Sequence, residues 1–219
     1  MAEQAASESR ADTRVFQVVH KTFRVATTRL IAVTEKLGPS ALQPIIGPQW
    51  GFYEAVLHDH HRTEDTIVFP ALLAVRPDMD TLVEKLEDDH RQLIPAMDRV
   101  SAAVTSFEHQ PDTVRQKAML DGLIAIRDLF FPHLYLEDAQ ILPAIAESIP
   151  PKEWARLDQQ ALKSIPRQHL PKAVGALDEI IRGLPEEERP PPPPLPIRVM
   201  LALSWRRKWT EWSKPLLVS

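Results

Sequence analysis

The chain has 219 residues, a net charge of only -4, 44 % hydrophobic and 26 % charged residues, and no cysteine. That composition suits one soluble domain with extensions, and the near-neutral balance gives no reason to expect nucleic acid or an anionic membrane as partner. Without thiols there are no disulfides, zinc ribbons or iron–sulfur clusters, so any metal must be held by His and carboxylates. Gly is scarce at 6, and of 21 Pro five form the run Pro190–Pro194, a bias toward helices punctuated by proline. The polar first residues carry no apolar leader and no run is long enough to span a bilayer, so a cytoplasmic protein is expected.

Residues 1–11 read as a flexible N-terminus. The first helix is expected over 12–37, with Val19, Phe23, Ala26, Leu30, Val33 and Leu37 at 3/4 spacing, ended by Gly38-Pro39. Residues up to Pro48 read as a loop. The second helix is expected over 49–75, with the stripe Tyr53, Val56, Leu57, His60, Glu64, Ile67, Val68 and Ala71. After the break Arg76-Pro77-Asp78, with Asp78 as the expected N-cap, a third helix over 79–107 carries Val83, Leu86, His90, Leu93, Met97 and Val100. The fourth, over 113–147, carries Leu123, Ile126, Phe130, His133, Glu137, Ile141 and Ala144.

Long amphipathic helices with short links predict an all-α, up-down-up-down four-helix bundle over 12–148. The remainder, 149–219, reads as a C-terminal helical extension with helices near 152–164 and 171–183, a proline-rich linker over 190–196 and a last helix. That helix puts Leu201, Trp205, Trp209 and Trp212 on one face, which would pack on the bundle or on a second subunit, so an oligomer is one expectation and a membrane partner is not.

His60, Glu64, His90, His133 and Glu137 sit on apolar stripes, and His20 lies at the edge of one. Burying such groups unpartnered costs roughly 2–7 kcal/mol each, more if charged. His60–Glu64 and His133–Glu137 are both i, i+4 pairs, one residue above the other on one helix face. Each pair offers a nitrogen and an oxygen to one site, and a carboxylate has two oxygens with which to bridge. His20 and His90 add a nitrogen each. His and carboxylate without thiolate suits iron, manganese or zinc, and the excess of His favours iron.

The segments VVHKTFR around His20, HHRTEDTIVFPAL from His60, EDDHRQL around His90 and HLYLEDAQILPAI from His133 resemble the hemerythrin-like family, also called HHE cation-binding domains. The resemblance implies a di-iron centre, two iron ions with an oxo or hydroxo bridge, held by His20, His60, Glu64, His90, His133 and Glu137, with both Glu bridging. Oxygen-carrying members have a second His one turn after the third-helix His, and here that position is Ile94. The gap argues against reversible O2 carriage. Tyr53, two turns before His60, is either a substitute ligand or a core Tyr with a hydrogen-bonded hydroxyl; Glu64, Glu137 and Tyr53 are the candidate catalytic groups, while His61, about 100° round the helix from His60, reads as a surface or supporting residue.

The function expected on these grounds is reaction with small oxidants: disproportionation of H2O2 in the manner of a catalase, or NO or O2 chemistry. The alternative is a non-catalytic sensor or binding protein for O2, redox state or iron. No binding motif separates the two, so an enzyme is not assigned.

Overall fold

The computed structural model describes residues 10–218. The part of the expected flexible N-terminus before Arg10 lies outside them. Helix α1 (Arg14–Lys36) is linked through Leu37 and Gly38 to α2 (Pro39–Thr63), which continues through a π turn (Glu64–Val68) into α3 (Phe69–Val75). After a 3₁₀ turn (Pro77–Met79) come α4 (Asp80–His109) and α5 (Thr113–Leu136), and α5 continues through a second π turn (Glu137–Ile141) into α6 (Leu142–Ser148). The extension holds α7 (Pro151–Ser164), α8 (Leu170–Gly183), α9 (Leu195–Met200), a third π turn (Leu201–Trp205) and α10 (Arg206–Ser213). No strand occurs among the described residues.

The expected bundle is present: α1 packs on α2 and α5, and α4 packs on α2 and α5. The short links force antiparallel neighbours. One boundary is corrected. Residues 39–48, read as a loop because of their prolines, are the first turns of α2. Pro39 stands at the start of the helix, where its missing N–H costs nothing. Pro44 and Pro48 are inside it, and the burial of Leu42, Ile46 and Trp50 against the core outweighs the lost helix hydrogen bonds. Asp78 does not cap α4; it pairs with Arg76 in the preceding turn. The side-chain cap is on α5, where Asp112 accepts from the Arg115 N–H at 2.8 Å.

Two apolar cores fill the bundle. One includes Phe23, Leu57, Leu93, Phe130 and Leu134. The other includes Phe16, Val68, Leu86 and Ile141. On every bundle helix the predicted His and Glu residues fall between a member of one core and a member of the other, whereas Tyr53 belongs to the first core itself. They form a polar layer closed by hydrocarbon on both sides.

Beyond the bundle, α8 lies on α1 and α10 lies on α8. Trp209 packs so closely that a Cβ on Gly175 would stand 2.5 Å from the Trp209 Cβ, which is why α8 has glycine there. Asp178 takes Arg206 at 2.8 Å and Arg182 at 3.0 Å. The tryptophan face of the last helix is thus used within the chain: Trp205 and Trp209 are buried, and Trp212 receives Lys172 over its ring. No helix is long and apolar enough to cross a membrane.

Candidate metal centre

Each half of the site has the same local sequence. The shared pattern is His, Glu four residues on, Asp next, and Pro six residues after the Glu: His60, Glu64, Asp65, Pro70 and His133, Glu137, Asp138, Pro143. Proline cannot donate to the carbonyl four residues back, and its ring crowds that carbonyl. The helix therefore widens ahead of each proline. Phe69 donates to the Glu64 carbonyl and Leu142 to the Glu137 carbonyl, five residues back in both cases. Both of these π turns begin on a predicted carboxylate ligand.

The turn also moves the buried face on by about one position. Past Glu64 the residues packed in the core are Val68, Phe69 and Leu72, whereas Ile67 and Ala71 are only half-buried. Pro132, adjacent to His133, lies within α5 without ending it.

Six expected ligands converge. His20 Nε2 is 3.4 Å from Glu137 Oε2 and 3.8 Å from Glu64 Oε1. His60 Nε2 is 3.2 Å from Glu64 Oε1. His90 Nε2 is 3.6 Å from Glu64 Oε2, and His133 Nε2 is 3.3 Å from Glu137 Oε2. His20, placed at the edge of the α1 stripe by its spacing, is fully buried at 0 % exposure.

His61 is the residue that periodicity misplaced. It is 6 % exposed, and its ring stacks on His90 with centroids 4.1 Å apart. His60 turns toward Phe16, His20 and Phe23, while His61 turns toward His90, Phe130 and His133. Neighbouring residues on one helix thus face opposite halves of the site. Ile94, where a ligand is missing from α4, is 46 % exposed and faces away. His61 on α2 stands where it could supply the donor that α4 lacks, since it follows the expected ligand His60 and its side of the helix adjoins His90 on α4.

Two groups of donors result. His20, His60, Glu64 and Glu137 bring ligand atoms within 4.8 Å of one another on the α1 side, and His61, Glu64, His90 and His133 do so on the α4–α5 side. Glu64 belongs to both. Glu137 Oε2 also lies between His20 and His133.

The outer nitrogens are held by carboxylates from neighbouring helices. His20 Nδ1 meets Asp138 at 2.6 Å, and His90 Nδ1 meets Asp65 at 2.8 Å. Asp138 is itself fixed by Arg24 at 3.0 Å, and Asp89 lies 3.7 Å from His133 Nδ1. With Nδ1 protonated to meet an aspartate, Nε2 carries a lone pair directed into the site.

The donors fit a pair of cations. His20 Nε2, His60 Nε2, His61 Nε2 and all four carboxylate oxygens of Glu64 and Glu137 are buried without a hydrogen-bond partner. Such orphaned groups are rare in native interiors. Ligands about 2.1 Å from one ion stand roughly 3 Å apart at right angles, close to the spacings found here.

As protein groups alone the charges are in conflict. Burial, together with the Glu137 charge, pushes Glu64 up to about 8. Burial pulls His20 down, but Asp138, Glu64 and Glu137 outweigh it and raise His20 to about 9. Burial and the surrounding imidazoles hold His60 and His61 well below the ordinary histidine range. A cation in each group would relieve both conflicts.

Tyr53 is buried, and its hydroxyl is 2.7 Å from Thr27 Oγ1. Burial pushes the phenol above its ordinary range despite that hydrogen bond.

Comparison with curated proteins and with solved structures gives no significant match. The family model described as hemerythrin HHE cation binding domain matches residues 11–145, which is the whole bundle up to α6 and more than half of the chain. The match includes all seven inward-facing His and Glu residues, and on it the chain belongs to the hemerythrin HHE cation-binding family.

Proposed function

We propose that the centre holds two iron ions and reacts with small oxidants, with disproportionation of H2O2 as the leading reaction and NO or O2 chemistry as its neighbours. The observation that carries this reading is the pair of donor groups sharing Glu64. Glu64, with Oε1 toward His20 and His60 and Oε2 toward His90, could serve an ion in each group. Iron supplies reversible redox chemistry there, so one H2O2 is reduced to two waters while a second is oxidised to O2, and no external reductant is needed.

The chain's own groups do the rest. Asp138 and Asp65 keep the His20 and His90 rings in one orientation and one tautomer. Glu64 and Glu137 set the separation of the two halves. The apolar cores on either side exclude bulk water and larger reductants. Tyr53 would act as a ligand only by leaving Thr27 and giving up a proton that burial holds on it.

Three measurements on one preparation test the reading: iron per chain, O2 evolved from added H2O2, and the visible spectrum. The expected result is about two irons per chain by the donor count, with turnover abolished in Glu64→Ala. Protein expressed with iron but containing none removes the reading. Stoichiometric oxidation without turnover replaces the enzyme with the sensor or binding alternative. A phenolate-to-iron absorption band lost in Tyr53→Phe would make Tyr53 a ligand.

A further inference from the structure

A cavity of about 560 Å³ lies outside the metal centre, between the bundle and the extension. Its floor includes Val19 of α1 and Val56 of α2; its roof includes Leu162, Val174 and the run Pro190–Pro194. Cavities of about 300–1,000 Å³ hold drug-sized ligands. The wall is chiefly hydrocarbon, which water occupies poorly.

Apart from Asp158, the charged groups considered on the wall are already engaged. Arg29 holds Glu179 at 2.6 Å, and Glu179 also accepts from the Trp209 indole. Asp178 is shared by Arg206 and Arg182. Asp12 is taken by Arg14 at 2.6 Å. Asp158 also lines the cavity and has Asp12 as its charged neighbour, an arrangement that disfavours a second anion. An anionic ligand would have to take Arg29 from Glu179 and would face Asp158, whereas an uncharged hydrocarbon would displace nothing.

His60 lines the same cavity. Its Nε2 stands 3.2 Å from Glu64, and Phe16 and Phe23, which also line the cavity, pack beside its ring.

We propose that this chamber binds an uncharged, chiefly hydrocarbon molecule against the outer edge of His60, so that the occupant and the metal centre share one side chain as a wall. Binding itself is independent of the metal; only the shared-wall consequence rests on the function proposed above. The roof is supplied by the extension, outside the family-matched residues 11–145, so the chamber belongs to this chain's own elaboration of the bundle.

The test uses the full chain and the neutral fluorophore N-phenyl-1-naphthylamine. The expected result is saturable, one-to-one fluorescence enhancement, reversed by dodecan-1-ol. Dodecanoate at pH 8 should need at least about tenfold more, the equivalent of 1.4 kcal/mol. Val56→Phe and Ala161→Phe, which narrow the chamber from opposite walls, should each weaken binding about tenfold on the same scale, with thermal unfolding confirming that they fold. No saturable binding, displacement by dodecanoate as effective as by dodecanol, or undiminished binding in both folded variants overturns the proposal. Iron analysis of the same sample separates the two readings. Probe binding without iron leaves the chamber and removes the di-iron function; iron without probe binding does the reverse.

Discussion

His90 Nε2 and His133 Nε2 face each other at 3.1 Å in the buried centre. His90 meets Asp65 through its other nitrogen, so its inner nitrogen is an acceptor, and the pair is stable only with a proton or a cation between them. A bound cation therefore stabilises the fold itself. At free metal 100-fold above Kd the linkage is worth about 2.7 kcal/mol, or roughly 5–10 °C in Tm for a chain of this size. Chelation followed by differential scanning calorimetry should show a fall of that order, recovered on adding metal back.

His61 and Ile94 make opposite predictions from equivalent-looking substitutions. His61→Leu removes a donor from the α4–α5 group only, and bound metal should fall toward half. Ile94→His, at an exposed position, should leave metal content unchanged in the wild-type background and should not rescue His61→Leu. Rescue would show that α4 rotates enough to bring residue 94 inward.

Asp138→Asn keeps the shape of the contact with His20 but removes the carboxylate that fixes the tautomer. Metal affinity should drop by about 10–100-fold, the usual cost of losing such a partner. Asp65→Asn should do the same through His90. A titration of metal-free protein with Fe(II) or Co(II) reads both, and unchanged affinity would assign the two aspartates to packing alone.

Helix α10 should come off α8 in acid. Burial raises Asp178, but Arg206 and Arg182 outweigh it and hold its carboxyl below the ordinary carboxylate range. A carboxyl lowered on folding stabilises fully above its unfolded value, near 3.8, and that contribution disappears as pH falls through the folded value. Trp205 and Trp209 should therefore become exposed on acidification below about pH 4, seen as a red shift in fluorescence. In Asp178→Asn the α10 contact should already be weakened at neutral pH, with the acid step reduced. Gly175→Val, which collides with Trp209, should expose the same tryptophans without any pH dependence.

Much of this architecture can be read from residue spacing, and the exceptions have physical causes. His60, Glu64, His90, His133 and Glu137 were legible because a polar group on an apolar stripe is costly and needs a partner. His61 was not, since a helical wheel treats a bundle interior as one direction, whereas a two-ion site is wide enough to be faced from both sides of α2. The start of α2 was hidden by Pro44 and Pro48, whose local penalty is overridden by the burial of Leu42, Ile46 and Trp50. Beyond Glu64 a period of 3.6 selects Ile67 and Ala71, while the π turn made by Pro70 delivers Phe69 and Leu72 to the core.

The two proline-made turns also cross-tie the bundle. The turn that follows α2 gives Glu64 to the centre and sends Asp65 to His90 on α4; the turn that follows α5 gives Glu137 and sends Asp138 to His20 on α1. A disturbance at either turn is thus passed to a histidine on another helix, and no bundle helix can withdraw its ligands while the others keep theirs in register. The centre should therefore open as a single concerted event, with protection against amide hydrogen exchange lost together on all four bundle helices around the polar layer.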